Sequence, residues 1–424
     1  MIVNNVVWRD DDLVTRDEEA AAPATPEAQI RQLVFPEREY VERLQTVQAR
    51  MAERSLSALI VVEPANLYYL TGYNAWSFYM PQCVIVPADG PCHLFLRRQD
   101  SIGAHYTACL PRDRIHGYPE DLVHRPDVHP FDWIAATAME IGLLQDSGDA
   151  TIAAELDADF FSPRGYLAVQ KQLPHANLVD SHELVNWVRA VKSEREQAKL
   201  REAGQVAQRV MEVALEQVVP GRRQCDVVAE IQRVQALGTD DLGGDYPALV
   251  PLLPTGEASG TPHLTWTDQP LVAGEATTIE IAGVRHRYHA PLARTVSLGQ
   301  PPSRLRAVAD ATNEGMATVL ETMRPGSTGH DVHAAFTRTI SRHGLQKDSR
   351  LGYSIGIGYP PDWGERTISL RAEEKTVLQA GMAFHVILGM WMDGWGYETS
   401  ESLLVTHEGA ERLTNLPGGL TIKE

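Results

Sequence analysis

Apolar residues recur at helical spacing through PEREYVERLQTVQARMAER, with Pro36 near the first turn, and predict a helix opening the first folded segment. The run LSALIVVEPANLYYLTGY predicts an apolar strand leading into a turn. CVIVPADGPCHLFLRR reads as a hairpin about Asp89-Gly90, and TIAAELDADFFSPRGYLAVQKQL as a strand followed by a helix. Strands alternating with helices make residues 36–182 an α/β domain.

The pattern changes after residue 182. Glu183 to Gln217 is dense in Glu, Lys, Arg and Ala with Gly204 as its one glycine, which predicts a single long helix ended by Val219-Pro220-Gly221. A second helix is predicted over Cys225–Leu237. Strands (TTIEIAGVRHRYHAPLARTVSLG), helices (SRLRAVADATNEGMATVLETM and HDVHAAFTRTISRHG) and further strands (GMAFHVILGMWM and SESLLVT) follow, so residues 183–424 read as an α+β domain without a visible internal repeat. Residues 1–35, acidic and Ala/Pro-rich around Glu18–Glu27, read as an N-terminal arm laid loosely over the molecule or another subunit. Two domains suit a chain of 424 residues.

Composition narrows the partners. Hydrophobic residues make up 43% of the chain, enough to pack two cores, and no apolar run approaches the roughly 20 residues of a membrane helix. The N-terminus lacks the basic start and apolar block of a secretory signal, which gives a cytoplasmic expectation. A net charge of −18 disfavours nucleic acid and anionic membrane, both of which attract basic surfaces. Cys83, Cys92, Cys109 and Cys225 form no CxxC pair and no disulfide framework, so buried thiols are expected.

From NWVRAVKSEREQAKLREAGQVAQRVMEVALE through TTIEIAGVRHRYHAPLARTVSLG, LGYSIGIGYPPDWGE, AFHVILGMW and ETSESLLVT, the chain resembles the creatinase/aminopeptidase P/prolidase family. The resemblance runs in order over residues 36–420. It implies a creatinase-like N-terminal α/β domain and a pita-bread C-terminal domain, in which a curved antiparallel sheet backed by helices holds the active site in its concavity. It also implies a homodimer in which the partner's N-terminal domain reaches the pocket.

The departures from that family carry as much as the match. Its metallopeptidases hold two ions with two Asp, one His and two Glu, an oxygen-rich set suited to divalent cations. The matching positions here are Glu280, Pro291, Tyr353, Ile387 and Ser400, with Glu401 beside the last. One good ligand survives, so no metal and no other cofactor is implied. Creatinase shows the family working with a catalytic histidine and acidic residues instead. The histidine matching its pocket position, in PTGEASGTPHLTW, is His263.

Within the family, GYSIGIGYPPDWGERTISLR and FHVILGMWMDGWGYETSESLLVT look most like ectoine hydrolases, which open a cyclic amidinium carrying a carboxylate to an N-acetylated diaminobutyrate. That resemblance makes His263 the expected proton carrier. Glu280 is expected either to pair with the amidinium N–H groups or to attack the ring carbon; an ion pair with Arg294 is the structural alternative. Arg294 is weighed equally as a substrate contact and as a strand anchor. Tyr353, His385 and Glu398 are expected in the pocket, Trp391 beside a bound cation together with Trp363 and Trp395, and Trp76 and Tyr79 as a contribution in trans or as domain core. A creatinase-type amidinohydrolase, a metal-dependent peptidase or sulfonium lyase, and a non-catalytic binding protein remain the rival readings, and preference between ectoine and hydroxyectoine stays open.

Overall fold

A computed structural model describes residues 33–424. The expected arm therefore lies, but for its last three residues, outside the described residues.

The first domain begins with α1 (Glu37–Glu53), whose N-cap is Pro36. β1 (Ala58–Val61) leads into α2 (Pro64–Thr71), every residue of which is buried. The sequence had suggested a turn here. A segment enclosed on all sides shows no amphipathic period, so its helix is invisible to pattern. β2 (Cys83–Pro87) and β3 (His93–Arg97) form the expected hairpin. α3 (Arg98–Thr107), β4 (Ile115–Tyr118), α4 (Pro130–Glu140), β5 (Thr151–Ala154), α5 (Pro163–Gln172) and β6 (Asn177–Asp180) follow. The six strands order as β4-β3-β2-β1-β5-β6, with β1–β2 and β2–β3 antiparallel and the remaining pairs parallel. Apolar clusters line both faces of this sheet, one around Val61, Val84 and Leu94, the other around Ile60, Ile85 and Phe131.

The long helix expected from Glu183 is two helices, α6 (Leu184–Arg189) and α7 (Glu194–Gln217). Ser193 restarts the helix: its Oγ accepts from the Glu196 amide while the Glu196 carboxylate accepts from the Ser193 amide, a reciprocal capping box. Between them Val191 forms an isolated antiparallel bridge with Met382, so the chain runs extended between α6 and α7.

The second domain continues with α8 (Gln224–Leu237), the hairpin β7 (Ala276–Arg285) and β8 (Tyr288–Leu298), α9 (Ser303–Thr322) and α10 (Gly329–Ser341). Then come β9 (Gly352–Tyr359), β10 (Asp362–Ser369), β11 (Ala383–Met392), β12 (Trp395–Thr406), β13 (Gly409–Arg412) and β14 (Thr421–Lys423). Strands β13-β12-β11-β9-β8-β14 form one continuous curved sheet, with β10 on β9 and β7 on β8. This is the expected pita-bread arrangement: a half-barrel of antiparallel strands backed by helices.

Register decides which face each side chain takes, because directly opposed residues of antiparallel strands point the same way. On β11–β12 one face carries Phe384, Val386, Leu388 and Met390 with Tyr397 and Leu403, which pack in one apolar cluster with Val308 and Val319 of α9 and Phe336 of α10. On β7–β8 the corresponding face carries Ile279, Ile281 and Leu292 and packs against α7. The approach there is close enough that a Cβ on Gly283 would lie 2.1 Å from the Ala207 amide nitrogen, so glycine is required. The opposite face of both hairpins carries the buried acids Glu280 and Glu398 among hydroxyls and small or apolar residues.

The two domains are joined by buried polar contacts. Arg189 donates to Asn66 Oδ1 at 2.6 Å and to the Ile357 carbonyl at 3.0 Å, and Asn66 Nδ2 donates to Asn186 Oδ1 at 2.7 Å.

Candidate active site

The face turned away from the helices carries Thr278, Glu280 and Ala282 opposite Thr295, Ala293 and Pro291, and His385, Ile387, Gly389 and Trp391 opposite Ser402, Ser400, Glu398 and Gly396. Tyr353 joins it as the register partner of His385. Side-chain bonds tie the hairpins together: the Ala293 amide donates to Ser400 Oγ at 2.7 Å, Ser402 Oγ to the Pro291 carbonyl at 2.7 Å, and Thr295 Oγ1 to the Glu398 carbonyl at 2.8 Å. All five positions where the sequence departs from a metal-binding pattern thus lie on this one face.

Glu280 and Glu398 are its acids, and both are buried. Burial, followed by the neighbouring Glu398 charge, pushes the Glu280 carboxyl well above the usual carboxylate range. Burial raises Glu398 to about 7, against the opposing pull of Lys347. The two titrate together, so the unliganded site holds on to protons that ordinary glutamates would have lost at neutral pH. Glu398 Oε1 is buried without a hydrogen-bond partner among the described residues. Glu398 is therefore a buried acid of this face rather than a surface carboxylate.

A chain of hydrogen bonds runs beside these acids. Trp363 Nε1 donates to Tyr353 Oη at 2.8 Å; Tyr353 Oη lies 3.1 Å from His385 Nδ1; and His385 Nε2 lies 2.8 Å from Ser400 Oγ. Burial, aided by the Arg350 charge, lowers His385 to about 3, so its ring is neutral and one nitrogen donates while the other accepts. His385 is fully enclosed and can act on a ligand only through Tyr353 or Ser400. Trp363, also fully enclosed, works as the donor that fixes Tyr353.

Arg294 faces the other way. Its register partner is Ile279, while Glu280 opposes Ala293, so no Glu280–Arg294 ion pair forms. The guanidinium donates to the carbonyls of Ala293, Ser400 and Pro417 and pairs with Glu401 at 2.8 Å. Arg412 and Thr414 complete the partners of Glu401. Of the two readings weighed for Arg294 the geometry supports the strand anchor, and it removes Glu401 from the pocket face as well.

The five metal positions do not fit a dinuclear centre. A pyrrolidine (Pro291) and an aliphatic chain (Ile387) have no donor atom, Ser400 is engaged with His385 and Ala293, and Tyr353 with Trp363 and His385. Among the described residues no three His, Cys, Asp or Glu side chains converge as a metal site.

His263 stands apart from this buried cluster. It is exposed, follows the short helical turn Gly256–Gly260, and has a left-handed backbone (φ 67), uncommon for a residue other than glycine. The loop itself is seated at the site's rim: a Cβ on Gly396 would lie 2.2 Å from the Ser259 carbonyl, and one on Gly260 would lie 2.4 Å from that of Met392. Trp391 lies over Gly389, whose missing Cβ makes room for the indole, and Trp395 lies at the rim, where Arg304 stacks on its ring. Trp76 is exposed and packs against Phe78 and, at 4.8 Å between ring centroids, against Tyr246 of the same chain's second domain; Tyr79 is exposed. Neither ring is core of its own domain.

Sequence pattern missed Lys347. It lies in the loop before β9, and its ammonium donates to the Gly389 carbonyl and to Ser349 Oγ, both at 2.8 Å, 4.8 Å from the centre of the Trp391 ring. A lone lysine in HGLQKDSRLG carries no local signal; only the loop's return over β11 brings it to the acids.

Comparison with known proteins gives this arrangement a lineage. Residues 198–407 match metallopeptidase family M24, and residues 43–191 match the creatinase/prolidase N-terminal domain. The ectoine hydrolase of Halomonas elongata is 42% identical, covering 92% of this chain and 99% of that protein. An uncharacterized hydrolase/peptidase of Sinorhizobium fredii is also 42% identical, over 93% of this chain and all of that one. The prolidase of Thermococcus sibiricus shares the fold with a TM-score of 0.78 at 18% identity, covering 91% of this chain and 99% of the other.

Proposed function

Since the chain belongs to the M24 family of creatinase- and prolidase-like enzymes and is a hydrolase, we propose that it opens the cyclic amidine ring of ectoine, giving N-acetyl-2,4-diaminobutyrate, without a metal ion. The observation that carries this reading is the buried Glu280–Glu398 pair on a sheet face whose metal positions are filled by Pro291, Ile387, Tyr353 and Ser400.

Two buried carboxyls that repel one another are costly to ionise, and a small delocalised cation placed against them relieves that cost. An amidinium supplies such a charge and two N–H donors for a carboxylate. The ring carbon between the nitrogens is then held against Glu280. In the proposed sequence Glu280 adds to that carbon, a C–N bond breaks as its nitrogen gains a proton from His263, and water cleaves the resulting ester-like adduct, returning the proton and the carboxylate. Trp391 offers an aromatic face to the cation. Tyr353, fixed by Trp363 and His385, bounds the site.

A homodimer is part of the same proposal, with the exposed Trp76 and Tyr79 presented to a second copy. So are a cytoplasmic location and the absence of membrane association; among the described residues no helix is long and apolar enough to cross a membrane.

A creatinase-type activity shares the logic of a cation against two acids, and the identity to the Halomonas protein favours ectoine over it. Purified protein offered ectoine, hydroxyectoine, creatine and an Xaa-Pro dipeptide separates these readings. Turnover is expected with ectoine and none with creatine or the dipeptide. Hydrolysis of the dipeptide alone overturns the proposal.

A further inference from the structure

We infer that Lys347 recognises the carboxylate of the substrate and so makes the site selective for zwitterionic cyclic amidines over purely cationic ones. The inference rests on the ectoine reading above and deepens it by assigning the other end of the substrate.

The argument starts from an incomplete set of partners. An ammonium has three N–H donors. Two of those on Lys347 go to the Gly389 carbonyl and Ser349 Oγ, and the Trp391 ring lies alongside. No carboxylate is in ion-pair contact with it among the described residues, although the Glu398 charge acts on it. Gly389 is the register partner of Glu398, whose Oε1 is buried and unpartnered. A cation short of a counter-ion and a carboxyl short of a hydrogen-bond partner therefore stand on the same part of the sheet face without closing on each other.

Such a gap is costly, because the ammonium is partly desolvated without a counter-ion and the buried Glu398 carboxyl resists ionisation beside Glu280. Burial already works against the charged ammonium, lowering Lys347 to about 8. A zwitterion satisfies both sides at once: its amidinium meets the Glu280–Glu398 pair and its carboxylate takes the third N–H of Lys347. The alternative cation, Arg294, is on the far side of the sheet and already engaged with three carbonyls and Glu401. A lysine serving only to tether its loop would need the Gly389 contact alone, and would not influence which ligand binds.

The test compares ectoine with the same methylated tetrahydropyrimidine ring lacking its carboxylate, in wild type, Lys347→Met and Lys347→Arg. Wild type is expected to prefer the carboxylated ring by about 10- to 100-fold in kcat/KM, the worth of one charge-assisted hydrogen bond. Lys347→Met is expected to lose most of that preference, so that the ratio of kcat/KM for the two rings falls to within about 3-fold of unity, chiefly through a higher KM for ectoine; any loss that comes from removing the pull of Lys347 on Glu398 falls on both rings alike and cancels in the ratio. Lys347→Arg is expected to keep a preference. Should the methionine variant fail to fold, Lys347→Gln provides the same readout. A folded, uncharged variant that retains the full preference overturns the inference and leaves the ectoine reading standing. A wild type that hydrolyses neither ring removes both.

Discussion

Glu280→Gln is expected to bind ectoine yet lose about 10,000-fold or more in kcat, because an amide oxygen is a poor nucleophile and a covalent route has no substitute for its attacking atom. The side chain is buried on a strand and rises from the floor of the sheet, so the isosteric change leaves packing intact. Glu280→Asp is expected to fail nearly as badly, since one methylene less withdraws the oxygen from attack distance. Mass spectrometry of acid-quenched wild type with ectoine is expected to show an adduct on the peptide containing Glu280 when breakdown of the intermediate is slow. If the carboxylate serves only to complement the amidinium, Glu280→Gln instead weakens binding and slows chemistry together. Substantial turnover by Glu280→Gln, with unchanged affinity, returns this residue to a structural role.

His263→Ala is expected to reduce kcat by at least about 100-fold with substrate binding retained, the usual contribution of one positioned acid–base group. The structure makes this the sharper of the two tests. His263 is exposed and makes no side-chain hydrogen bond among the described residues, so its loss should leave the melting temperature nearly unchanged. A structural histidine would give the reverse, a lower melting temperature with normal turnover. Its left-handed backbone, on a loop seated against the rim of β11–β12, is the kind of uncommon conformation kept where a side chain must be aimed. Near-normal turnover by the alanine variant removes His263 from the chemistry.

What could be read from the sequence divides along physical lines. The amphipathic helices and the alternating strands were legible, because their periodicity is local: α1, the β2–β3 hairpin, α9 and α10 fall where the pattern put them. The break between α6 and α7 was also written locally, in Ser193 and Glu196, yet the surrounding helix-forming residues masked it. α2 was hidden because a segment buried on every side has no polar face to reveal its period. The site was legible where it depends on identity and order. Glu280, Tyr353, His385 and Glu398 all lie on the polar face of the second domain's sheet. It was illegible where it depends on register. That Arg294 points opposite to Glu280 follows from Ala293 being the partner of Glu280, which a hairpin sequence does not specify. That Glu398 is buried, and that Lys347 returns to Gly389 and Trp391, are products of tertiary packing alone. His263 was found by motif position, and the structure seats its loop at the rim rather than in the buried cluster.

The most direct test of a metal-independent ring opening is proton NMR of ectoine incubated with enzyme that has been exhaustively chelated and freed of chelator. The account predicts that the ring signals disappear at the same rate as with untreated enzyme and are replaced by those of an N-acetylated diaminobutyrate. An unchanged ectoine spectrum after chelation, with turnover restored by adding a divalent metal, would contradict it.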